Sequence, residues 1–125
     1  MSINDLAEVK RPTITMENGF SLAAGYRCFI NEAGMEISIV VTVPTNLSET
    51  KWWHVATISN LYGLSFDGYR KAIWVDSSNN LRFADASLTI EGGKHIYIYI
   101  DKNIMAGKNV TLQTFVGKAV GKLTD

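Results

Sequence analysis

Met35-Glu36-Ile37-Ser38-Ile39-Val40-Val41-Thr42-Val43 is the stretch whose reading decides the fold. Met35, Ile37, Ile39, Val41 and Val43 fall on one side of an extended chain, and Glu36, Ser38, Val40 and Thr42 fall on the other. A period of two built on β-branched side chains is a half-buried strand, because a helix would scatter the same residues around its circumference. Immediately ahead lie a second apolar run, Tyr26-Arg27-Cys28-Phe29-Ile30, and the turn-like Asn31-Glu32-Ala33-Gly34. Together they read as a hairpin that Pro44 closes, since proline cannot donate to a ladder. Ile96-Tyr97-Ile98-Tyr99-Ile100 and the run from Val110 to Val116 show the same alternation and must share its core.

Outward from that hairpin, short apolar runs alternate with turn residues along the whole chain. Thr13 to Met16 reads as a first strand, followed by the turn signal Asn18-Gly19. Trp52 to Ile58 is apolar on both faces, as in a strand covered on two sides. Asn60 to Gly68 reads as a loop, and Tyr69 to Val75 as a strand. Asp76 to Asn80 is a polar turn that returns Leu81 to Ala84 as a hairpin partner. Ser87 to Ile90 and Lys94 to Asp101 flank Glu91-Gly92-Gly93, which reads as a further hairpin. Asn103 to Gly107 is a loop or one helical turn, and Gly117 to Asp125 an edge strand or tail. The fold class expected is all-β, an antiparallel β-sandwich or jelly roll. Ser2 to Lys10 has the pattern of a short helix stopped by Pro12. Residues 1–12 are thus expected to be an extension or short stem helix, and 13–125 a single β-sandwich domain.

The 125 residues are enough for one domain with a core of its own. Lys and Arg number 12 and Asp and Glu number 12, so the net charge is zero. That balance argues against a nucleic-acid partner, which needs an excess of cations to displace counterions from phosphates. It also favours self-association, because net charge is what holds copies apart. The N-terminal stretch does not read as a signal peptide, and no apolar run approaches a membrane span. A soluble protein without membrane insertion is expected.

Chemistry-bearing residues are few. Cys28 stands alone inside a strand, so neither an intrachain disulfide nor a cysteine cluster is open to it. His54 and His95 are far apart in sequence and outside any metal-ligand spacing. Asp67, Asp76, Asp85, Glu91 and Asp101 mostly sit at turns, where aspartate bonds local backbone. No metal, cofactor or catalytic nucleophile is expected. Aromatic residues are the suggestive class. Trp52, Trp53, Tyr62, Phe66, Tyr69 and Trp74 crowd into one segment, and Tyr97 and Tyr99 share the face opposite three isoleucines. Such rings stack on the C–H faces of sugars, fill protein interfaces or pack a core. Tyr97 and Tyr99 are read as an oligomer interface. Tyr62, Phe66, Tyr69 and Arg70, on and beside the loop from Ser59 to Gly68, are read as a ligand-binding site; the alternative is that Phe66 and Tyr69 plug the core beneath the loop and Arg70 is a solvated strand charge.

The order of motifs carries a resemblance. Asn18-Gly19-Phe20, the Met35–Val43 strand, Val55-Ala56-Thr57-Ile58, Gly68-Tyr69-Arg70-Lys71 and the apolar strand after it resemble the head domains of bacteriophage tail-fibre and baseplate receptor-binding proteins. Phe20 stands where that family has tryptophan, and Lys71 where it has proline. The resemblance covers most of the chain from Asn18 onward. It implies a small β-sandwich, commonly a homotrimer, in a virion made in the host cytoplasm. It also implies adhesion to a host surface saccharide or protein without catalysis, alongside other virion proteins. The other readings of the residues are a structural assembly protein of a virion and a small carbohydrate-active enzyme.

Overall fold

A computed structural model describes residues 8–124. Eleven strands form: β1 (Ile14–Met16), β2 (Ser21–Leu22), β3 (Arg27–Asn31), β4 (Gly34–Thr42), β5 (Lys51–Ile58), β6 (Leu64–Ser65), β7 (Gly68–Val75), β8 (Leu81–Ile90), β9 (His95–Ile100), β10 (Asn109–Gly117) and β11 (Val120–Gly121). A 3-10 turn (Glu91–Gly93) and one turn of helix, α1 (Lys102–Met105), complete the described elements. The all-β antiparallel reading holds.

The deciding hairpin forms as its turn dictates. Asn31 pairs with Gly34 and Arg27 with Ser38, so Glu32 and Ala33 are the two loop residues. Asn31 Oδ1 accepts the Ala33 N–H at 2.9 Å, the local side-chain bond for which asparagine is favoured in turns. Met35, Ile37, Ile39, Val41 and Val43 are all buried, and Glu36 on the opposite face is exposed. Each such side chain contributes about 1.5–3 kcal/mol by leaving water.

Hydrogen-bonded neighbours run β1-β5-β9-β8-β7-β10-β4 in one curling sheet, with β2 and β3 sharing the far edge of β4. The sheet nearly closes on itself. Lys10 N–H donates to Ile30 O at 2.8 Å, and Ile30 N–H donates to Lys10 O at 2.9 Å, which joins the segment before β1 to β3. Buried Pro12 lies between that bridge and β1 and has no N–H to extend the ladder. Both edges of the sheet are thereby largely covered, and the two walls of the sandwich are parts of one sheet. Ile30, Met35, Ile37, Ile58, Phe66, Leu88, Ile96, Ile98 and Leu112 fill the interior.

Three local expectations change. The helix expected from Ser2 to Lys10 is absent over Glu8–Lys10, where Lys10 is in the β-bridge; residues 2–7 lie outside the described part. Leu81–Ala84 and Ser87–Ile90 are one ten-residue strand, β8, because Asp85 faces outward and pairs with Lys71 on β7. Glu91-Gly92-Gly93 is a 3-10 turn. Gly93 has φ +93°, and a Cβ there would meet Phe66 Cβ at 3.1 Å, so glycine lets this turn close against Phe66.

Candidate functional site

The outer face of the β5-β9-β8-β7 wall carries an aromatic cleft. The ladders set His54 opposite Tyr97, Tyr97 opposite Ser87, and Ser87 opposite Tyr69, with Trp52 opposite Tyr99 beside this row. Ser87 is the short member, and its size leaves room between Tyr97 and Tyr69. Trp52 and Tyr69 sit on strands three spacings apart, about 14 Å at the usual strand separation. Their rings nevertheless meet edge to face at 6.4 Å, so both lean over the intervening strands and form an arch. Tyr99, opposite Trp52 on β9, meets it edge to face at 5.8 Å.

The arch separates two adjoining depressions. One, of about 350 Å³, is lined by Trp52, Tyr69, Ser87, Thr89, Ile90 and Tyr97. Its hydroxyls are organised: Ser87 Oγ and Thr89 Oγ1 are 2.8 Å apart. The other, of about 320 Å³, is lined by Trp52, Tyr69, Arg70, Lys71 and Asp85. Lys71 and Asp85 form an exposed ion pair on its floor. Aromatic walls, paired hydroxyls and an adjacent charge pair suit a polar ligand with flat apolar faces, the description of a sugar ring.

A polar chain lies behind Tyr97. Tyr97 stacks on His54 at 5.0 Å with the rings 17° from parallel. His54 Nε2 is 3.1 Å from His95 Nδ1 and 2.9 Å from Thr57 Oγ1. Thr57 Oγ1 donates to Glu17 Oε2 at 3.3 Å, and His95 Nε2 faces Glu91 Oε1 at 3.3 Å. The group holds His54, and through it Tyr97, in place. A β-bulge between His54 and Ala56 makes it: Val55 and Ala56 are both buried, so His54 and Thr57 emerge on the same face. Strict alternation would put them on opposite faces, so the sequence does not show Thr57 joining the histidines, which the β5–β9 pairing brings together.

The residues expected at the ligand site separate. Tyr69 is 68% exposed and belongs to the cleft. Phe66 is 2% exposed and is a core side chain, held by its N–H donating to Gly92 O and by the Gly93 contact; this corrects its reading as a ligand contact. Tyr62 packs on the core elsewhere, with φ +52°, its N–H bonded to Asn60 Oδ1 and its carbonyl to Thr124 N–H. Arg70 borders the charged depression, but its guanidinium is engaged in structure. Nε donates to Thr114 Oγ1 at 3.0 Å, Nη2 to Phe115 O at 3.1 Å and Nη1 to Tyr69 O at 2.8 Å. β7 and β10 are in register only at Ile73 and Thr111, so Arg70 bridges the gap where they part. Tyr97 is half-buried and Tyr99 exposed, and both lie on the aromatic face. Trp52 was visible in the sequence only as one of a crowd of aromatics. Ser87, Thr89 and Ile90 carry no local signal, because strand order alone brings them beside Tyr69.

Cys28 is buried, and burial pushes its thiol up to about 12. Among the described residues no group of three or more His, Cys, Asp or Glu side chains converges as a metal site, and no helix is long and apolar enough to cross a membrane. Comparison with protein-family models, curated proteins and solved structures finds no match to this chain.

Proposed function

We propose that this chain is an adhesion module of a bacteriophage virion, from a tail fibre or baseplate, that binds a host surface saccharide without cleaving it. The observation that carries the binding part of this reading is the arched cleft of Trp52, Tyr69 and Tyr97 over the paired hydroxyls of Ser87 and Thr89. Indole and phenol rings offer flat apolar faces, and the hydroxyls donate and accept toward ring substituents. The virion part rests on the resemblance of the motifs around Asn18-Gly19-Phe20 and Gly68-Tyr69-Arg70 to receptor-binding heads.

Binding without cleavage is supported by the carboxylates. Glycoside hydrolysis typically uses two carboxylates flanking the scissile bond. Of the described residues lining the two depressions only Asp85 is acidic, and it is paired with Lys71. The test is binding of the purified chain to an array of bacterial surface saccharides, read against Trp52→Ala and Tyr69→Ala. Selective binding that both substitutions weaken supports the proposal, and glycan binding indifferent to both removes it.

A further inference from the structure

Next to the cleft, the β7–β8 hairpin presents a ribbon that no other described element covers. Its ladder sets Lys71 opposite Asp85, Ile73 opposite Phe83 and Val75 opposite Leu81. Phe83 is 63% exposed, Leu81 61%, Val75 46% and Ile73 40%. Single exposed apolar side chains are ordinary on a protein surface, but four large ones in consecutive cross-strand pairs make a contiguous patch of the kind that marks an interface.

The ribbon is its own complement. Let a second copy turn by 180° about an axis parallel to the strands and midway between β7 and β8. Strand direction is preserved, so each β7 lies over the other copy's β8 with every row in register. Lys71 then faces Asp85 of the partner subunit, Ile73 faces the partner's Phe83, and Val75 faces the partner's Leu81. Opposite charges meet in one row and apolar side chains in the other two. An isologous contact requires this self-matching. The balance of 12 cationic and 12 anionic residues leaves no net repulsion between copies. Aligned sheets cross at about 30°, so contact centres on these rows and the faces diverge toward the cleft.

We propose that the outer face of the β7–β8 hairpin joins two copies of this chain about a twofold axis. Lys71 and Asp85 also line the charged depression, so the contact engages that depression and leaves the hydroxyl-lined one to the ligand. It presents a pair of hydroxyl-lined depressions, and weak sugar sites gain from being presented together.

The test is molar mass by sedimentation and light scattering of the full chain at high micromolar concentration. Wild type is expected at twice 13.8 kDa. Lys71→Glu gives a ribbon with two acids, and Asp85→Lys gives one with two bases. Each alone is expected as a monomer with an unchanged circular dichroism spectrum. An equimolar mixture of the two is expected to regain the doubled mass, since the carboxylate introduced in one variant then faces the ammonium introduced in the other. Should either charge variant fail to fold, Phe83→Ser, at an exposed position, is expected to give a folded monomer in its place. A monomeric or trimeric wild type, single variants that keep the doubled mass, a mixture that stays monomeric, or a folded Phe83→Ser that stays paired would each overturn the proposal.

Discussion

Cys28 and Arg70 show how environment assigns a role that residue type leaves open. Cys28 is 2% exposed on β3, and burial raises its pKa to about 12. The thiolate is the reactive species, so the folded thiol is inert at neutral pH. A disulfide reagent at pH 8 is expected to leave Cys28 unmodified in native protein and to modify it stoichiometrically once denaturant unfolds the chain; rapid labelling of the native form would contradict this. Arg70 has the profile of a sugar-binding cation, yet its bonds run to three structural acceptors, Tyr69 O, Phe115 O and Thr114 Oγ1. Arg70→Met should lower stability by about 1–3 kcal/mol, the range for losing charge-assisted bonds at a partly exposed site. Saccharide binding by the folded variant should stay within about twofold of wild type, a difference under about 0.5 kcal/mol. Equal stability with weakened binding would return Arg70 to the ligand site.

The β7–β8 hairpin turn is organised by one side chain. Asp76 Oδ1 accepts the N–H groups of Asn80 and Ser78, both at 2.9 Å, and Oδ2 accepts Arg82 Nε at 2.9 Å. The Asn80 N–H above all, with the Ser78 N–H and Arg82, lowers the Asp76 pKa. A carboxylate whose pKa is depressed on folding adds stability above its unfolded value, about 4, and loses it as pH falls through the folded value. Asp76→Asn is therefore expected to melt below wild type at pH 7, with the gap narrowing below pH 4 as Asp76 protonates. A gap that widens in acid would contradict this account.

Uninterrupted alternation made β4 and β9 readable from sequence, and Asn31–Gly34 located the hairpin turn. β5 misleads because its bulge reverses facing after His54, which unbroken parity does not reveal. Asp85 reads as a break because aspartate is scarce in strands, but an outward position opposite Lys71 accommodates it. Phe66 sits in loop-like sequence, and its burial depends on a turn some 25 residues later closing over it. The cleft is less legible still, because it is assembled from β5, β7, β8 and β9 by strand order.

At the level of the whole molecule, closure and exposure divide the labour. The Lys10–Ile30 bridge ties the first segment to β3, so the barrel-like sheet is a rigid support with little free edge to pair with other chains. What remains for partners is side-chain surface: the aromatic cleft on one part of the β5-β9-β8-β7 wall and the apolar ribbon on another. Rigid strands under both surfaces place their rings without loop ordering, which limits the entropy lost on binding. The central claim, that the cleft recognises saccharide, is tested most directly by titrating an array-selected bacterial glycan into wild type and Trp52→Ala by calorimetry. Wild type should bind, and Trp52→Ala, with its fold and mass unchanged, should bind at least about 10-fold more weakly, the equivalent of about 1.4 kcal/mol. A folded Trp52→Ala that binds the same glycan with wild-type affinity would contradict the claim.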